Sequence, residues 1–206
     1  MHCALDHLVI SATDLETGRL WAQNLLDIPF GPRGVHTCMG THNHLTALDR
    51  GAYLEVIAVD AQAIAPAHPR WFDLDNFSGA PRLSNWVLNV DDLDAALAAA
   101  PAGAGQVVAF ERGAYRWKMA VPETGVLPFD GCFPALIEWQ SAHPAPALDY
   151  HGLALRRLKL SHPQSDALTA ALEPFAAAME SVRIVNARTP SLHAEIGTPS
   201  GEIWIT

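Results

Sequence analysis

Leu5-Asp6-His7-Leu8-Val9-Ile10-Ser11, followed at once by Thr13-Asp14-Leu15-Glu16, decides how this chain is read. The first stretch is short, apolar and rich in branched residues, so it predicts a strand. Thr13 with Glu16 three positions later has the spacing of a capping box, and Leu15, Ala22, Leu25 and Leu26 continue with helical period. The pattern restarts downstream. Ser84 to Val90 reads as a strand, Asp91 as the cap of a second helix, and Leu93, Ala96, Leu97 and Ala100 as its buried face. Asp14-Leu15 and Asp92-Leu93 stand 78 positions apart, and this offset lays Asn85 over His7. After each helix come strand candidates: 44–48 and 53–59 in the first round, 107–111, 116–121 and 135–140 in the second. A third round opens at Leu155–Ser161, continues in a helix interrupted by Pro174, and closes in strands at 182–187, 192–196 and 202–205.

This gives an α+β expectation: repeated βαβββ modules forming a curved mixed sheet around a cup, with a third similar C-terminal unit. The divisions are residues 1–60 for the first module, 61–82 for a crossover loop, 83–141 for the second module and 150–206 for the third unit. The crossover holds Trp71, Phe72 and Phe77 among prolines, and aromatics of that kind call for burial.

Composition narrows the function. The 206 residues are 50% hydrophobic and 17% charged, which is a folded chain with a full core. Thirteen basic against 22 acidic residues leave a net charge of -9, the opposite of a nucleic-acid binder. No apolar run nears the ~20 residues of a membrane span, and the N-terminus has no signal-peptide pattern. Three cysteines without a C-x-x-C pair read as the reduced thiols of a cytoplasmic protein.

Two carboxylates stand inside apolar strands, Glu55 in Tyr53-Leu54-Glu55-Val56 and Glu138 in Leu136-Ile137-Glu138-Trp139. A buried carboxylate needs a partner or a metal. With His7 they make a mixed N/O set suited to Zn, Mn, Ni, Co or Fe(II). Asn85 is a poor ligand and reads as a residue that orients water or substrate. A rival cluster is His36, His42 and His44, in which His42 and His44 share a strand face. Arg112, Arg116 and Lys118 flank the Gly113-Ala114 turn and could hold an anionic group.

These residues resemble a known family. Leu5-Asp6-His7-Leu8-Val9-Ile10, Gly40-Thr41-His42-Asn43, Tyr53 to Asp60, Arg116 to Ala120 and Phe133 to Trp139 are similar to the glyoxalase-like branch of the vicinal oxygen chelate superfamily. The resemblance implies paired βαβββ modules around a cup, a divalent metal held from the first and last strands of the modules, and a substrate that chelates it through oxygen. Carried over, the candidate metal positions are His7, Glu55, Asn85 and Glu138, of which His7, Glu55 and Glu138 are the plausible ligands, and Glu55 or Glu138 moves a proton; Asn85, His42 and Arg116 are the candidates for meeting the substrate. The implied activity is that of a metal-dependent lyase or isomerase on a small oxygen-bearing metabolite. The alternatives are a metal-free binder that sequesters a small molecule, with Trp71, Phe72, Phe77, Trp86 and Trp117 lining the cup, and, ranked lower, an extradiol-type dioxygenase. The expected partner is a small molecule, with neither nucleic acid nor membrane; pairing into a homodimer is left open.

Overall fold

Branched residues set the first strand. In the computed structural model, which describes residues 2–206, Cys3–Ser11 forms β1, with Val9 and Ile10 fully buried. The helix α1 (Leu15–Leu26) is capped by Asp14 rather than Thr13: the Asp14 carboxylate accepts the Thr17 N–H at 2.8 Å. The chain then forms β2 (Gly34–His36), β3 (Thr41–Ala47) and β4 (Tyr53–Val59). β2, only three residues long, is too short to show an alternation in sequence. β4 returns to lie parallel to β1, and β3 and β2 follow it antiparallel outward.

The second module repeats this wiring. β5 (Arg82–Val90) leads into α2 (Leu93–Ala99), capped by Asp92 through the Ala95 N–H at 2.9 Å. Asp91, the expected cap, instead accepts the backbone N–H of His2. β6 (Gln106–Arg112), β7 (Tyr115–Val121) and β8 (Ala135–Trp139) follow, with β8 parallel to β5. β1 and β5 join the modules antiparallel, giving one eight-stranded sheet ordered β2-β3-β4-β1-β5-β8-β7-β6. The expected α+β architecture of repeated modules around a curved sheet is present.

Alternation divides the sheet into two faces. Leu8, Ile10, Leu54, Val56, Leu88 and Leu136 face the helices and the main core. Val9, Ile57, Val87, Met119 and Ile137 face the inside of the curve. There they pack against Met39, Trp71, Phe72 and Leu127, so the crossover loop feeds its aromatics into the cup.

The strand register relates the two modules position by position. Val9 lies opposite Asn85, and His7 opposite Val87. Exchanging the modules therefore carries His7 onto Asn85 and Val9 onto Val87, the 78-residue offset seen in sequence. Glu55 pairs with Val9, and Ala135 pairs with Val87. Ala135, not Glu138, is the counterpart of Glu55.

The C-terminal unit is a separate four-stranded sheet. It consists of β9 (Ala154–His162), α3 (Ser165–Leu172), a 3-10 turn through Pro174, then β10 (Val182–Asn186), β11 (Ser191–Thr198) and β12 (Gly201–Ile205). The element order of the modules recurs, but the wiring differs. Here the strand after the helix lies parallel to the first, and the order is β10-β9-β11-β12. Leu158, Leu160, Leu192 and Ile196 join Leu8, Trp86 and Phe133 in one continuous core, so this sheet closes the back of the molecule.

Candidate functional site

A bulge in β1 builds the centre of the site. Leu5 pairs with Leu88 and His7 with Val87, which leaves Asp6 without a partner on β5. An extra residue of this kind turns its side chain off the regular alternation. Asp6 is buried and reaches the same interior as His7. Its Oδ1 lies 2.6 Å from His7 Nδ1, and its Oδ2 accepts Trp139 Nε1–H at 2.8 Å and meets His143 Nε2 at 3.0 Å. His7 Nε2 is 3.5 Å from Glu55 Oε2, and the imidazole stacks on Tyr53 at 4.4 Å. Glu55 Oε1 accepts Asn43 Nδ2–H at 2.6 Å, and Asn43 Oδ1 accepts Arg112 Nη1–H at 3.1 Å. Arg112 arrives from the far edge strand, β6. Gly34 leaves its path clear, because a Cβ there would run into the Asn43 amide and the guanidinium.

The protonation states follow from these contacts. Burial by itself would lower the His7 pKa, but the hydrogen bonds and charges of Asp6 and Glu55 outweigh it and push it up to about 9. Burial would raise Asp6 and Glu55. His143 and His7 hold Asp6 below the usual carboxylate range, and His7, His36 and Asn43 do the same for Glu55. Burial takes His36 down to about 4, with Arg112 adding to the effect. A guanidinium can only donate, so neutral His36 accepts Arg112 Nη1–H at Nε2 (3.3 Å) and gives its Nδ1–H to Thr41 Oγ1 (3.0 Å). The two carboxylates, Asp6 and Glu55, face two cations, His7 and Arg112.

Above this network lies a small cavity of about 30 Å³, walled by Trp71, Trp117, Trp139 and Pro144. That is room for one or two water molecules. The Trp71 indole N–H is buried and has no hydrogen-bond acceptor among the described residues.

The residues singled out in sequence are dispersed. His7 and Glu55 stand together. Glu138 does not join them: it lies an odd number of positions from Ala135, which puts it on the opposite face. It accepts the Leu93 N–H at 2.9 Å with Oε2, contacts Gln140, and lies 3.7 Å from Lys118 Nζ. Its work is at the start of α2. Asn85 lines a different cavity. His42, 3.7 Å from Asp60, and His44, bonded to the Gly31 carbonyl, occupy the outer face of β3, whereas His36 is in the cup, so the three histidines form no cluster. Arg116 is exposed at the hairpin, and of the three cations there only Arg112 enters the site. Asp6, Asn43, Tyr53, Trp139 and His143 were missed. The alternation of β3 places Asn43 on the inner face with Thr41 and Leu45, and that was readable in sequence. The bulge that turns Asp6 inward was not.

The residues present do not fit a divalent metal. Both His7 nitrogens already face carboxylates, Nδ1 towards Asp6 at 2.6 Å and Nε2 towards Glu55 at 3.5 Å. The second module contributes Asn85 and Ala135 where the first has His7 and Glu55, and a guanidinium already stands beside the carboxylate system. Among the described residues no group of three or more His, Cys, Asp or Glu is placed to hold an ion.

The glyoxalase-like domain family model matches residues 5–176. Among solved structures, a hypothetical protein from Staphylococcus aureus superposes with a TM-score of 0.63 at 13% identity, covering 93% of this chain and 88% of that one. Methylmalonyl-CoA epimerase from Mycobacterium tuberculosis gives 0.46 at 18% identity, over 70% of this chain and 91% of the epimerase. A hypothetical protein from Bacillus halodurans gives 0.46 at 10% identity, over 68% and 94%. No curated protein matches the sequence. The Staphylococcus likeness is one of fold, and its coverage takes in the C-terminal sheet. No helix among the described residues is long and apolar enough to cross a membrane.

Proposed function

Because this chain belongs to the glyoxalase-like domain family, we propose that its cup holds a small, neutral, oxygen-bearing molecule without the help of a metal ion. The observation that carries this reading is Trp71, whose buried indole N–H has no acceptor among the described residues, in the wall of a cavity floored by two carboxylates and two cations. A buried donor without an acceptor costs stability, and a ligand carbonyl or hydroxyl oxygen would satisfy it. An anion would leave the enclosed network with a net negative charge, which a low-dielectric interior penalises. Trp117 and Trp139 supply flat apolar walls for the rest of the molecule.

A second reading, a proton-transfer isomerase or lyase, is favoured by the line Asp6–His7–Glu55. Glu55 would take a proton from the carbon beside the bound carbonyl, and imidazolium His7 would return one. Against it, the network holds Glu55 below the usual carboxylate range, which weakens it as a base.

Both readings are tested on chelator-treated protein. Tryptophan fluorescence is titrated with hydroxyacetone, cyclohexanone and benzaldehyde, and with benzoate as the charged counterpart. The carbonyl compounds should quench and benzoate should not, and Arg112→Met should abolish the response. Loss of the hydroxyacetone C–H signals in heavy water, absent in Glu55→Gln, would add catalysis to binding. Binding that appears only when Zn, Mn, Ni, Co or Fe(II) is returned would overturn the metal-free reading.

A further inference from the structure

A second cavity, of about 330 Å³, opens where the start of β5 meets the C-terminal sheet. Its volume is in the range of small-molecule sites. β5 contributes Arg82 and Asn85 and β11 contributes His193, so both units are needed to form it. Asn85 is only 4% exposed, lines the cavity, and enters none of the side-chain hydrogen bonds among the described residues. His193 Nδ1 on the opposite wall is likewise buried without a partner. An amide that is open only to a formed cavity marks a place for a ligand or for ordered water.

The backbone around the cavity is unusual in the same place. Six described residues other than glycine have positive φ, and four of them sit in the two loops that border this cleft: Phe72 at 59°, Asp73 at 54°, Phe129 at 55° and Asp130 at 53°. Such conformations are disfavoured for side chains as bulky as phenylalanine and concentrate at ligand sites. Gly131 follows at 84°, and a Cβ on it would come within 3.3 Å of Asn85 Nδ2. The glycine keeps the amide accessible.

The ligand class follows from the polar groups. An asparagine amide offers one acceptor and donors on adjacent atoms. A carboxylate could satisfy only the donor side, and it would lie beside Asp73 and Asp130. An amide edge, with N–H and C=O side by side, satisfies both, and this is how asparagine reads a planar base. Phe72 and Leu127 provide apolar walls, and Arg82 is held over the Phe77 ring at 4.1 Å. We infer that this cleft is a second binding site, sharing only Phe72 with the cup, for a small neutral molecule with a planar amide edge, with Asn85 as the residue that recognises it.

The test uses the full chain and three probes: uracil, whose amide is in the ring, nicotinamide, whose amide is pendant, and nicotinate, its acid. Saturation-transfer NMR and calorimetry should show binding of at least one amide probe, with nicotinate at least tenfold weaker. Uracil alone would point to ring amides and nicotinamide alone to carboxamides. Asn85→Leu should weaken the amide probe at least tenfold, and Ser191→Tyr, which fills the cleft from the C-terminal side, should do the same if Asn85→Leu fails to fold. Arg112→Met should leave this binding unchanged. The inference fails if neither amide probe binds and the cleft holds only water. It fails if nicotinate binds as tightly, if binding survives Asn85→Leu, or if Arg112→Met removes it, which would put the probe in the cup.

Discussion

Raising the pH from 6.5 to 9 should loosen this protein through a single buried imidazole. His7 has an ordinary pKa of 6.5 and is pushed up to about 9 in the fold. Below 6.5 both folded and unfolded chains carry the proton, and the stabilisation from the two carboxylates is fully present. Between 6.5 and 9 the folded chain keeps a proton that the unfolded chain has lost, so stability falls as pH rises. Above 9 the contribution is gone. At 1.36 kcal/mol per pKa unit the whole effect is about 3 kcal/mol, or roughly 6–12 °C in Tm for a chain of this length. The groups facing His7 do not share this window. Asp6 and Glu55 are held low, His36 titrates near 4, and burial lifts the Tyr53 hydroxyl well above its usual value. Calorimetric melts of the native chain and of His7→Gln at pH 6.5, 7.5, 8.5 and 9.5 isolate the effect, because cysteine and lysine titration is common to both. The Tm advantage of the native chain should shrink steadily over that range. A gap as wide at pH 9.5 as at 6.5 would refute the reasoning.

Two further outcomes bear on the architecture. Glu138→Ala removes the carboxylate that holds the Leu93 N–H at the start of α2; it should cost about 1 kcal/mol in urea unfolding and leave the fluorescence response to cyclohexanone unchanged. Gly125→Ala puts a Cβ against the Arg70 carbonyl at a φ of +76°, where the loop before β8 locks onto the crossover; it should lower stability by more than about 2 kcal/mol in the same assay.

The fold was legible because each module announces itself twice, by a branched strand and by an aspartate cap two or three residues on. Asp14 and Asp92 set the 78-residue equivalence of the modules that lays Asn85 over His7, and the sheet reproduces it. The site was less legible. Glu138 and Glu55 share a local pattern, a carboxylate third in an apolar strand, which suggests equivalent positions. The sheet aligns Glu55 with Ala135 instead, and an odd displacement moves a side chain through the sheet. Asp6 was hidden because strict alternation assigns it to the face opposite His7, and only the missing β5 partner reverses that. Arg112 was noticed as a hairpin charge, yet nothing in the sequence tells which of three cations turns inward. The third unit announced its order of elements, but pairing between strands depends on contacts far apart in sequence, and its different wiring left no local mark.

The aromatics that the crossover loop sends into the cup have a thermodynamic consequence. With Trp71 and Phe72 buried there, the cavity over His7 and Glu55 holds about 30 Å³, far below the size of any organic metabolite. Occupancy of the cup therefore requires Phe72 to move aside while Trp71 stays to meet the ligand oxygen, and the closed arrangement acts as a competitor for the ligand. The apparent dissociation constant is the intrinsic one divided by the fraction of molecules with Phe72 withdrawn. If that fraction is on the order of one in a hundred, an intrinsically micromolar site presents itself at about a hundred micromolar. Trimming Phe72 would then tighten binding while removing a wall of the pocket, because the side chain stabilises the empty state more than the filled one.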